Sequence, residues 1–311
     1  MSRPPLSVLA LLLPVSVAAM AQQPQFRTSI SQVRLEVSVT DARGAVRGLR
    51  AADFVVEDSG RRQIVQVDEV VDAPLDLVLV VPPVSTVAFI AADQTARVAS
   101  GLKAFLARVE ARDRLGVVIA SAPPRRLRSL ADVPPSFDVA VLNEGSETYS
   151  ASFDAIALGL RMFDDAERRR ALVAFTQAAD FRSVIGLDAV ADLAGRLGPP
   201  FVLVGTPVTI QRDVRASAVT TQGKELDSVT GHVSGSVFPA ALERLARRSG
   251  GVAIDLGSDD PTKLMSETFA WLRTHYVLTY KLPTGTGWHS VDVKANRRGV
   301  KVKVREGYSV D

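Results

Sequence analysis

The side chains of this sequence that could do chemistry gather behind one apolar run. Ser85 and Thr86 follow Leu75-Asp-Leu-Val-Leu-Val-Val81 and the pair Pro82-Pro83. A hydroxyl just past a buried strand can act as nucleophile, cation ligand or hydrogen-bonding group. Nucleophilic use calls for an activating base. The sequence has no Gly-x-Ser-x-Gly elbow, and Ser85 has no evident base partner. A serine hydrolase built on Ser85 or Ser150 with a carboxylate is an alternative without a motif behind it. His232, His275 and His289 lie far apart with no i,i+4 pair, so their spacing does not make a zinc site. His275, at a helix-to-strand junction, reads as structural. Phosphate-binding motifs are missing too: the loop after Val81 contains no glycine, and Gly285-Thr-Gly287 reads as a hairpin turn. Asp259-Asp260 before Pro261 reads as a helix N-cap with proline at N1, not as a catalytic carboxylate pair.

Those groups depend on elements that the pattern predicts. Leu75 to Val81 is apolar except at Asp76, as in a parallel strand buried on both faces, and the two prolines end it. Residues 90–109 have helical spacing, with Val98, Leu102, Phe105, Leu106 and Val109 on one face. Strands over 115–120, 171–175, 201–204 and 252–256 alternate with helices over 153–163, 184–197 and 238–248. This is the signature of a doubly wound, mostly parallel α/β sheet. Before it, Val33, Leu35, Val37 and Val39 alternate with polar residues, predicting a strand with one wet face. Asp53 to Asp58 and 64–70 predict further short strands. After it come a helix over 261–274 and alternating strands at 276–282, 291–293 and 300–304, with Asn296 to Gly299 as a hairpin turn between the last two. These wet-faced strands are expected to complete a small antiparallel β-sandwich-like module with the N-terminal ones. The expected divisions are a signal peptide over 1–21, a β-module over 26–72, an α/β domain over 75–257 and a helix plus strands over 258–311. Residues 206–236, rich in Ser, Thr, Val and Gly, read as a long flexible insertion.

Composition narrows the function classes. The chain has 311 residues, 47% hydrophobic and 23% charged, with a formal charge of +3 and only 6% aromatic residues. Its charges are interspersed, and the runs Arg61-Arg62, Arg125-Arg126, Arg168 to Arg170 and Arg297-Arg298 read as solvated faces, so no nucleic-acid partner is expected. Arg3, the apolar stretch Leu6 to Val17 and Ala19-Met20-Ala21 have the order of an export signal, and no membrane span is expected after its cleavage. The expected location is periplasmic or extracellular. There is no cysteine, so disulfides and thiol chemistry are excluded.

The segments VTDARGAVRGLRAADFVVEDSGRRQIV (Val39 to Val65), LDLVLVV, RRALVAFTQAAD, HYVLTYKLP and VREGYSV resemble, in the same order, the secreted bacterial von Willebrand factor A-related proteins. The resemblance implies a β-module, a von Willebrand factor A-type α/β domain and a β-tail, acting in binding or scaffolding. It also implies a metal-ion-dependent adhesion site, whose pattern is an Asp-x-Ser-x-Ser loop, a Thr and the Asp of Thr-Asp-Gly. Laid on this sequence, the first loop falls on Val81-Pro82-Pro83-Val84-Ser85 and keeps only Ser85. The Thr position falls on Ser150, and the last Asp on Gln177. Magnesium or calcium wants carboxylate oxygen, and no aligned carboxylate remains; Asp180 and Asp154 are acidic neighbours outside the pattern. The expectation is therefore a non-enzymatic exported module with no cofactor, binding a protein or cell-envelope partner. Its binding loops would include Pro82, Pro83, Ser85, Thr86, Ser150, Gln177 and Asp180. The alternative is a metal-dependent binding protein holding magnesium or calcium through Ser85, Ser150 and Asp180.

Overall fold

The alternating N-terminal stretch is strand β1 (Gln32–Asp41). In the computed structural model the described residues are 32–83, 92–133, 150–164, 168–176, 180, 182–205, 240–257 and 259–310. Ser85, Thr86, Gln177, His232, the expected export signal and the stretch 206–236 lie outside them. After β1 come β2 (Gly44–Ala45), a short 3-10 turn (Ala51–Asp53), β3 (Phe54–Asp58), β4 (Arg61–Gln63) and β5 (Gln66–Val70). The chain then alternates: β6 (Leu75–Val81), α1 (Ala92–Leu106), β7 (Arg114–Ile119), β8 (Arg125–Asp132), α2 (Ser152–Leu160), β9 (Arg169–Thr176), α3 (Leu187–Leu197), β10 (Phe201–Gly205), α4 (Ala240–Arg248) and β11 (Val252–Asp255). It closes with α5 (Pro261–Arg273), β12 (His275–Lys281), β13 (Gly287–Ala295), β14 (Lys301–Lys303) and β15 (Gly307–Val310).

Six strands form one sheet in the order β11-β10-β9-β6-β7-β8. All neighbours are parallel except β8, which runs antiparallel on β7. Counted from β6 this is the doubly wound order 3-2-1-4-5-6. Every residue of β6 is buried. Leu75, Leu77, Leu79 and Val81 face a core shared with Phe105 and Phe269 of α1 and α5. Val78 and Val80 face the opposite core, with Ile156 of α2, Val190 of α3 and Leu245 of α4. Two covered faces explain why the run is continuously apolar. Its one polar member, Asp76, is held by Arg168 at 2.6 Å and Arg114 at 3.2 Å. Burial nevertheless pushes its pKa up, against the pull of those two arginines.

The remaining strands form two antiparallel sheets, β14-β1-β12-β5 with β2 on β1, and β15-β13-β3-β4. They enclose a common core of Val33, Leu35, Val37, Phe54, Val56, Tyr276, Leu278 and Val293. N- and C-terminal segments interlock directly, with Leu35 opposite Leu278 and Val56 opposite Val293.

Three expectations need correction. Asn296 to Gly299 does not close a hairpin: β13 pairs with β3 and β15, whereas β14 pairs with β1 in the other sheet. The alternating valines of 300–304 require an apolar face, and β1 supplies it with Val39 opposite Val302. The arginine runs are not all solvated faces: Arg169 is buried and engaged by Glu36, whereas Arg125-Arg126 opens the edge strand β8 with half-buried and exposed side chains. Charge on an edge strand blocks further strand addition. The polar side of β1 is not uniformly wet either. Ser38 is buried and donates to the Trp271 carbonyl at 3.3 Å, because α5 packs across that end of the strand. At the start of α5, Asp260 caps the Thr262 and Lys263 amides, with Pro261 at N1, as the sequence predicts.

Candidate functional site

β6, β7, β9 and β10 end flush at one edge, with Val81 opposite Ile119 and Gly205 opposite Thr176. In a doubly wound sheet, ligands bind in the crevice outside these carboxyl ends. Backbone hydrogen bonds tie the loops there together: Ala120 donates to Val81 at 2.8 Å, and Ala151 donates to Ala120 at 2.9 Å. Through these two bonds the residue before Ala151, Ser150, is brought close to the Pro82-Pro83 end of β6. Pro83 is buried and Pro82 half-buried. Neither has an N–H, so this corner of the rim offers only carbonyl oxygens. Ser150 is buried with its Oγ 2.8 Å from Ser152 Oγ. Ser121 is fully buried and donates to the Pro123 carbonyl at 2.8 Å.

The acidic residues at the edge have a specific task. Helix α2 begins after Ala151, which has no side chain able to cap it. The first-turn amides are satisfied instead from the loop after β9. Asp180 Oδ2 accepts from Phe153 N at 2.8 Å, and Ser183 Oγ accepts from Asp154 N at 3.0 Å. Asp180 also accepts from Arg182 N, Ser183 N and Ser183 Oγ, at 3.2, 2.9 and 2.6 Å. The pinning is reciprocal: the Asp154 carboxylate accepts from Val184 N at 2.9 Å and Ile185 N at 3.0 Å. A carboxylate at a helix N-terminus is favoured by the helix dipole. Two carboxylates and one serine therefore weld the loop at 180–185 to the first turn of α2.

These contacts already occupy the Asp180 carboxylate. A carboxylate has about four acceptor positions, and Asp180 uses them on three amides and a hydroxyl. A cation bound there would have to displace a capping hydrogen bond. Among the described residues no three His, Asp or Glu side chains stand close enough to hold a metal ion. The two described histidines lie on the sandwich strands β12 and β13. His289 lies against Asp58 at 2.8 Å in the β-sandwich, and His275 is buried at the start of β12.

Of the residues singled out in the sequence, Pro82, Pro83, Ser150 and Asp180 therefore lie at this edge. Ser85, Thr86 and Gln177 fall outside the described residues. Sequence reasoning missed Ser152 and Ser183 and the structural duty of Asp154. The spacing Asp180-x-x-Ser183 ahead of a helix is a turn and capping signal that could have pointed to them. Replacing Asp180 by alanine is expected to destabilise the chain by about 2–3 kcal/mol, since charged hydrogen bonds and a distal helix cap are lost together. Urea unfolding measures this. A loss below about 0.5 kcal/mol, the range of ordinary surface substitutions, would show that the carboxylate is not structurally engaged.

No protein-family model matches the chain, and no curated protein matches it. Solved structures do. An aerotolerance-related membrane protein from Bacteroides fragilis, crystallised with multiple mutations to serines, is 16% identical over 63% of this chain and 98% of its own, with a TM-score of 0.45. A von Willebrand factor type A structure from Catenulispora acidiphila is 11% identical over 89% of this chain and 73% of its own, with a TM-score of 0.44. Proximal thread matrix protein 1 from the mussel byssus, with a zinc-occupied metal-ion-dependent adhesion motif, is 13% identical over 70% of this chain and 50% of its own, with a TM-score of 0.48. The zinc is a property of that protein.

Proposed function

We propose that the chain is an exported, non-enzymatic interaction module of the von Willebrand factor A type. It engages a protein or cell-envelope partner through the loops at the carboxyl edge of the parallel sheet, without a metal ion. The observation that carries this reading is the fate of Asp180 and Asp154. Both are committed to backbone amides, so at the described part of the rim neither carboxylate is left free to present a charge. A rim without free carboxylates recognises by shape and neutral hydrogen bonds, and loops pinned in advance lower the entropy cost of binding.

The test uses the chain with a photo-crosslinking residue at Pro82, exposed to envelope extract with and without EDTA. One discrete partner is expected, recovered equally with chelator, and lost when Ser85 and Thr86 are both replaced by arginine while the melting midpoint holds. Recovery that requires magnesium, with calorimetric heat on adding it, would favour the cation held through Ser85, Ser150 and Asp180. Labelling of Ser85 or Ser150 by a serine-reactive probe would favour a hydrolase.

A further inference from the structure

At the opposite edge of the parallel sheet, where β9 and β10 begin, the β-sandwich abuts the α/β layer and leaves a cavity of about 400 Å³. That volume lies within the usual range for small-ligand sites. Arginines converge on it from four places: Arg34 on β1, Arg169 and Arg170 at the head of β9, Arg196 in the last turn of α3, and Arg305 just before β15. One carboxylate, Glu36, lines the same cavity and is engaged by Arg169. Five guanidinium groups against one carboxylate leave the lining at +4.

Three of these side chains have a buried donor with no acceptor among the described residues: Nε of Arg169, of Arg170 and of Arg305. Arg169 is only 4% exposed, so its charge is almost wholly withdrawn from water. Leaving a buried charged donor unmatched is costly unless something completes it. Arg305 is also held in position. Its guanidinium lies 5.3 Å from the centre of the Tyr308 ring, and its Nη2 donates to the Arg34 carbonyl at 3.2 Å. Beneath it, Gly250 (φ +76°) packs against the main chain of Val304 and Arg305 so closely that a Cβ there would come within 2.6 Å. Gly198 (φ +81°) leaves room for Arg305 Nη1, which a Cβ would approach to 3.1 Å. Leu197, Leu282 and Tyr308 add apolar wall.

We infer that this seam cavity binds a small organic molecule carrying at least two oxyanion groups. Planar guanidinium forks match carboxylate and phosphate oxygens two at a time, and the apolar wall accommodates a carbon skeleton between them. The site is independent of the loop rim at the other edge of the sheet. A ligand here would bridge β1 and β15 of the sandwich to β9 and α3 of the α/β layer.

The experiment is calorimetric titration of the full chain with citrate and, separately, with pyrophosphate, at constant ionic strength set by sodium chloride. One saturable site is expected for at least one probe, and the preferred probe tells carboxylate from phosphate recognition. Combining Arg170→Gln with Arg196→Gln, at half-buried and exposed positions, should weaken that binding at least tenfold and leave the unliganded melting midpoint within a few degrees. Three results would overturn the inference: no saturable heat from either probe, unchanged affinity in the double variant, or heat reproduced by chloride alone. Arginine at positions 85 and 86 should not affect this binding, so the cavity and the loop rim fail or stand separately.

Discussion

Replacing Asp113 by alanine is expected to destabilise the folded chain by about 3–5 kcal/mol, as when one member of a buried ion pair is removed. Asp113 is fully buried at the start of β7. It accepts from the amides of Leu75 at 2.9 Å and Glu110 at 2.7 Å, which sets the entry to β6 and the turn before β7. It also receives both terminal nitrogens of Arg273, at 3.0 and 2.7 Å. Arg273 is the last residue of α5 and donates to the carbonyls of Ala73 and Arg108 as well. One carboxylate therefore joins the first α/β strand, the turn before the second and the helix leading back into the sandwich. Without it the Arg273 charge stays buried beside Glu110 alone, at 3.2 Å and partly exposed to solvent. Thermal unfolding should show a midpoint lower by on the order of 10 °C. A variant melting within a degree of the parent would contradict the assigned role. Asp113→Asn should recover part of the loss, since it keeps one acceptor but not the charge.

Asp58→Ala is expected to cost a comparable 3–5 kcal/mol, because it removes the acceptor for a cluster with no route to water. Asp58 is 1% exposed and accepts from Tyr280 OH at 2.8 Å, from Tyr308 OH, and from His289 Nδ1 at 2.8 Å. It lies on β3, and its partners lie on β12, β13 and β15, so the cluster links the two sheets of the sandwich. Burial pushes the Asp58 pKa up, but the hydrogen bonds from Tyr308, His289 and Tyr280 outweigh it and leave it lowered. A lowered carboxylate pKa contributes stability that is present above the unfolded value of 3.8 and is lost as pH falls through the folded one. His275 acts earlier in the same direction. Burial, with Arg169 and Arg34 nearby, brings its pKa down to about 3. Between 6.5 and about 3 the unfolded chain then binds a proton that the folded chain refuses. Stability is at its full value above pH 6.5 and falls as pH drops, by about 1.4 kcal/mol per unit in the steep part of that window. Urea titrations from pH 7 to 4 should trace this decline, and His275→Gln should flatten it. An unchanged slope in that variant would mean that His275 protonates freely in the fold. Asp58→Ala should mainly reduce the further loss below pH 4.

Particular residues mark how far one-dimensional information reaches. The continuous run at β6, the alternation in β1 and β12, and the Asp260-Pro261 start of α5 could be read directly, because each follows from local periodicity or capping chemistry. Those patterns record which faces are buried and where helices begin, and they are enough for the layered α/β plan beside antiparallel strands. Edge strand β8 escaped, since its arginines face solvent and no apolar stripe announces it. Asn296 to Gly299 misled, because a turn motif does not say which strand the chain joins next.

The destinations of individual polar groups belonged to tertiary structure alone. Asp180 and Phe153 are 27 positions apart, and Asp58 and Tyr308 are 250 apart. Arg34, Arg169 and Arg305 come from strands or strand ends in both layers before they share a cavity. A carboxylate or guanidinium has the same local signature whether it meets an amide, a counter-ion or a ligand. Its partner is chosen by the long-range register of strands and helices, and that register forms only when the apolar faces have found one another.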